Sequence, residues 1–94
     1  MALDQLTPAQ LSRLEGWLQR QPGIDGLAAL LLERLEANEA AGRAHLDSGR
    51  LSRELGVAHA LVRRTASELE ARGLVTITSR SGAGPGLWLA LIPG

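Results

Sequence analysis

Residues 51 to 75 read LSRELGVAHALVRRTASELEARGLV, and their spacing decides the fold. Leu51 and Leu55 lie one helical turn apart, which marks the inner side of a short helix. Gly56 follows, and a glycine at a helix end takes the positive φ that turns the chain. Val57 is set to plug the core behind that turn. Val62, Thr65, Ala66 and Leu69 then recur at the three- and four-residue intervals of a longer helix, about residues 59 to 72, which Gly73 stops. A short helix, a tight glycine turn and a longer helix make a helix-turn-helix plan.

Working toward the C-terminus, residues 74 to 78 are rich in β-branched side chains and read as a strand. Residues 86 to 92 read as a second strand, and Ser81-Gly82-Ala83-Gly84-Pro85 joins the two as a hairpin. Toward the N-terminus, Ser48 is the expected cap of the helix at 49 to 55, and His45-Leu46-Asp47 is read as a short isolated strand. A helix over residues 26 to 41 is framed by Asp25 as its cap and Gly42 as its stop. Leu27, Leu30, Leu31 and Leu35 face its inner side, and Glu33, Glu36 and Glu39 are expected to face water. Thr7-Pro8-Ala9-Gln10 reads as a capping box with proline at the first helical position, and Leu6 and Leu11 have the spacing of a hydrophobic staple. The helix it starts should run over residues 8 to 21, with Leu11, Leu14 and Leu18 on one face, Trp17 widening the edge of that face and Pro22-Gly23 ending it.

The stretch 51 to 75 resembles the DNA-binding domains of GntR-type and MarR-type bacterial transcriptional regulators. In that pattern Leu51 and Leu55 are inward positions of the helix before the turn, Gly56 is the turn glycine, and Val62, Ala66 and Leu69 seat the recognition helix. Glu70-Ala71-Arg72-Gly73-Leu74-Val75 is similar to the family's exit from that helix into the wing. The resemblance implies a mainly α fold with a small β-hairpin (α+β): a winged helix-turn-helix over 24 to 94 with an extra helical extension over 1 to 23, in one domain. It implies a transcriptional regulator that binds double-stranded DNA, with the helix at 59 to 72 in the major groove and the hairpin at 74 to 92 as the wing.

At 100° per residue, the outer face of that helix presents Ala60, Arg64, Ser67 and Ala71, flanked by Arg63, with His59 at its start. Arginine bonds two acceptors of a guanine at once, and serine bonds a phosphate or a base edge. Arg64 and Ser67 are therefore assigned to bases, and Arg63 and His59 to base or backbone. Arg50 and Arg53 on the preceding helix are assigned to phosphates, and Arg80 at the base of the hairpin to the wing contact. The plain alternative is a set of solvated charges, with Glu68 and Glu70 spaced to pair with Arg64 and its neighbours. The family commonly has Ser or Thr before the recognition helix, where this chain has Ala58, and the hairpin tip carries no basic residue beyond Arg80. Both departures suit a second reading, a winged-helix module that binds protein within a larger assembly.

Composition narrows the field further. Of the 42 apolar residues, 33 are Leu or Ala; Phe, Tyr and Cys are absent, and Trp17 and Trp88 are the only aromatic side chains of the Phe/Tyr/Trp class. That excludes disulfides and thiolate metal sites, and it leaves few platforms for stacking single-stranded bases. No metal or cofactor is expected, because His45 and His59 have no ligand spacing around them and the glycines of the hairpin lack a phosphate-loop pattern. No nucleophile, base and acid fall into one arrangement, so no enzyme activity is expected. The opening Met-Ala-Leu-Asp lacks the basic start of a signal peptide, and the longest apolar run, Leu27 to Leu32, is six residues, so a cytoplasmic protein with no membrane partner is expected.

The formal net charge is zero. Residues 1 to 42 nevertheless carry three arginines against six carboxylates, and residues 43 to 94 carry seven against four, so the halves stand at −3 and +3. The first helix lies outside a minimal winged helix. Its leucine face either caps the core or pairs with a second copy, giving a homodimer matched to a palindromic site.

Overall fold

A computed structural model describes residues 5–79 and 86–93. Its first helix, α1 (Pro8–Arg20), starts where the capping box places it: the Gln10 N–H donates to Thr7 Oγ1 at 3.1 Å and the Thr7 N–H donates to Gln10 Oε1 at 2.8 Å. The second, α2 (Gly26–Ala40), starts on Asp25, whose carboxylate accepts from the Ala28 N–H at 2.9 Å. Both helices end one residue earlier than their stop signals suggested.

The next elements are β1 (Leu46–Asp47) and α3 (Ser48–Leu55). Asp47, not Ser48, caps α3, accepting from the Gly49 N–H at 2.9 Å. Ser48 is instead the first helical residue, and it is fully buried. Gly56 follows at φ 68°, a left-handed conformation that costs glycine little, and it sends the chain directly into α4 (His59–Ala71). Ala58 precedes α4 without any side-chain cap.

Strands β2 (Val75–Ser79) and β3 (Leu87–Leu91) pair antiparallel, with Ile77 opposite Leu89 and Thr78 opposite Trp88. The strand at 46–47, expected to stand alone, pairs with the other edge of β3, Leu46 opposite Leu89, so the sheet order is β1-β3-β2. A two-residue strand has too few hydrogen bonds to stand alone, and the open edge of β3 supplies them. The chain is thus α+β: four helices and a small antiparallel sheet among the described residues.

Leu46, Val75 and Leu89 point from the sheet into a core completed by Leu31, Leu32 and Leu35 of α2, Leu51 and Leu55 of α3, and Val62, Ala66 and Leu69 of α4. Helix α2 touches α1, α4 and β3, which explains why its apolar residues are not confined to one stripe and why Leu32 is buried beside the expected Leu31 and Leu35. The same crowding overturns the expectation for Glu33. It has no exposed surface, because α1 lies across the side of α2 that was assigned to water. On α1 itself only Leu14 of the three stripe leucines is buried, while Leu11 and Leu18 remain 44% and 40% exposed. A hydrogen bond from Arg72 Nη1 to the Pro22 carbonyl, 3.2 Å, ties the end of α4 to the turn between α1 and α2.

Candidate nucleic-acid interface

The buried side of α4 is Val62, Thr65, Ala66 and Leu69, as the spacing predicts, so the residues between them point outward. Arg63, Arg64 and Ser67 are all exposed, and with Glu70 they form one wall of an open groove of about 360 Å3. The opposite wall is Ile77 of β2 and Leu87 of β3. Three of the sequence-assigned residues therefore share one concave surface between α4 and the strand pair.

Their electrostatics favour an anionic partner. Neither Arg63 nor Arg64 forms an ion pair among the described residues, although Glu68 lies four residues from Arg64 along the helix. Glu70 turns instead to the sheet, where its Oε2 accepts from the Ile77 N–H at 3.2 Å. That bond covers an otherwise open donor on the β2 edge and engages the one carboxylate among the described residues of the groove. Arg53 is likewise exposed, and no described carboxylate pairs with it.

His59 is not among the residues that line the groove. Its Nε2 lies 2.8 Å from Ser48 Oγ, and the same hydroxyl accepts from the Leu87 N–H at 2.9 Å. One buried hydroxyl thus links the first turn of α3, the first turn of α4 and the start of β3. The ring is half-buried and acts as a strut between α3 and α4. Sequence reasoning missed Ser48 because its partners lie 11 and 39 residues away.

Arg50 stands apart from the α4 groove. Its Nε donates to Glu54 Oε1 at 3.1 Å, and its side chain lines a separate hollow with Arg34 and Arg43, away from the α4 groove. Arg80 and the segment 81 to 85 lie outside the described residues.

The arginines of the acidic half are committed to that half. Glu33 accepts from Arg13 Nη2 at 2.7 Å and from Arg34 Nε and Nη2 at 2.6 and 2.9 Å. Burial pushes the Glu33 carboxyl toward its neutral form, but the hydrogen bonds from Arg34 and then Arg13 outweigh it and hold the group below the usual carboxylate range. Arg20 lies 3.9 Å from Glu36 and stacks over the Trp17 ring at 4.1 Å. Uncommitted guanidinium charge is therefore found on the α3–α4 side.

Comparison with protein-family models, with curated proteins and with solved structures finds no match. Among the described residues, no helix is long and apolar enough to cross a membrane.

Proposed function

We propose that the chain is a winged helix-turn-helix domain that binds double-stranded DNA as a transcriptional regulator, with α4 as the recognition helix and the β2–β3 hairpin as the wing. The observation that carries this is the groove itself: Arg63, Arg64 and Ser67 stand exposed on one wall, free of ion pairs to described carboxylates, beside a strand pair of sheet order β1-β3-β2. An α-helix whose outer face offers guanidinium and hydroxyl donors suits a major groove, where each base pair displays its own acceptors. Arg64 and Ser67 read bases, Arg63 serves base or backbone, Arg53 meets a phosphate, and Arg80 is the wing contact. His59 holds the helix start in place through Ser48. The domain is a binding module without catalytic chemistry or a cofactor.

Selection from a random duplex library tests this directly. A recovered consensus bound in a salt-sensitive way is the expected result; failure to enrich any duplex at low salt would sink the proposal.

A second reading, docking on protein, rests on Leu11 and Leu18, which leave an apolar stripe on the outside of α1. We place a second copy of the chain there, which would set two recognition helices for a palindromic site.

A further inference from the structure

A second concavity, sharing no lining residue with the α4 groove, lies between the C-terminal half of α2 and α3. It measures about 170 Å3, and three arginines border it: Arg34 from α2, Arg43 from the loop that follows, and Arg50 from α3. Drug-sized ligands occupy clefts of roughly 300 Å3 and more, so a hollow of this size suits one small group. From this convergence of guanidiniums we infer that the hollow binds a phosphate group.

Arg34 and Arg50 are each held with donors to spare. Arg34 commits its Nε and Nη2 to the buried Glu33, which fixes the guanidinium plane and leaves Nη1 outside those two bonds. Arg50 commits Nε to Glu54, which leaves both of its Nη nitrogens outside that bond. Arg43 is carried by a loop that Asn38 clamps, its Nδ2 donating to the Arg43 carbonyl at 3.3 Å and to the His45 carbonyl at 3.0 Å. The planar guanidinium fork matches the oxygens of a phosphate, and bonds between two ionised groups are the strong ones.

A plainer account would have these arginines neutralise the negative end of α2. Three of the last four carbonyls of that helix are already satisfied by the backbone: Ala37 by the Ala41 N–H, Asn38 by the Ala41 and Arg43 N–H groups, and Glu39 by the Gly42 N–H. Nor do carboxylates cancel the charge in full, although Glu54 acts on Arg34 as well as on Arg50. Among the described residues Glu54 is the one acid bordering the hollow, and Glu33 behind it is shared between Arg34 and Arg13. Positive charge remains there for an anionic group to balance.

This site does not depend on the α4 groove being a DNA site. The phosphate belongs either to a nucleic-acid backbone or to a free phosphate, and one experiment with two arms separates the sources. In the first, the full chain is titrated with inorganic phosphate against a chloride control at matched ionic strength, followed by amide NMR. Saturable shifts are expected at Asn38, Arg43 and Arg50. Arg43→Ala, an exposed loop substitution, should weaken binding roughly tenfold, and Glu54→Gln should strengthen it. In the second arm, duplex affinity is compared between the wild type and Arg43→Ala. A loss shared by all sequences, with a salt slope shallower by about one, assigns the site to backbone phosphates; unchanged duplex affinity with phosphate binding retained by the wild type assigns it to free phosphate. The inference is overturned if neither arm responds, or if phosphate binding is indifferent to Arg43→Ala. Saturable phosphate binding by a chain that binds no duplex would sink the DNA proposal and leave this one standing.

Discussion

Arg64 and Arg50 are the same residue type on neighbouring helices, yet their surroundings give them different work. Arg50 is already bonded to Glu54, whereas Arg64 stands exposed on the groove wall. Arg64→Ala is therefore expected to remove sequence preference, at about 1–3 kcal/mol per correct base contact, while Arg53→Ala weakens all duplexes alike; affinities for consensus and scrambled duplexes measure both. The outward set on α4 was legible in the sequence because helical period alone fixes it. Glu33 was not, because its burial is imposed by α1 from another part of the chain. With its folded-state carboxyl held below the ordinary Glu value of about 4.3, its stabilisation is fully present above that pH and is lost as pH falls through the lowered folded value. Glu33→Leu, which leaves two partly exposed arginines without their carboxylate, should cost about 2–3 kcal/mol at neutral pH by urea denaturation and should flatten the acid limb of the stability curve. Ser48→Ala removes the acceptor of the Leu87 N–H and the partner of His59, so about 1–3 kcal/mol of stability should go with it. In the same variant, hydrogen exchange at Leu87 should quicken.

At the scale of elements, local signals carried the reading furthest. Capping box, turn glycine and apolar spacing gave α1, α2, α3 and α4 to within a residue or so of their observed ends. What local signals could not give was partnership. The pairing of β1 with β3 joins residues more than forty positions apart, and the sequence held only a short strand with no stated neighbour. Helix α1 shows the same limit in reverse: its stripe of Leu11, Leu14 and Leu18 is real, but α2 covers only Leu14. If the uncovered leucines form the contact between two copies, Leu11→Glu with Leu18→Glu should convert a dimer to a monomer in light scattering. Substitutions at positions this exposed should shift stability by no more than about 0.5 kcal/mol. A wild-type chain that is monomeric at high concentration contradicts the pairing.

Over the whole molecule, a net charge of zero conceals a division of labour. Every arginine of residues 1 to 42 is tied to Glu33 or Glu36, so the acidic half neutralises itself in part. Arg53, Arg63 and Arg64 form no such pairs among the described residues, and two of them share the groove with Ser67. Long-range attraction to a polyanion is accordingly weak, and selectivity must come from contacts made at short range. We propose that the groove between α4 and the β2–β3 pair is the surface that meets duplex DNA. Amide NMR of the chain titrated with its selected duplex tests it most directly. Shifts should concentrate at residues 59 to 67 and at Ile77 and Leu87, sparing Leu11 to Leu18. Shifts centred on α1, or a spectrum unchanged at saturating duplex, would contradict it.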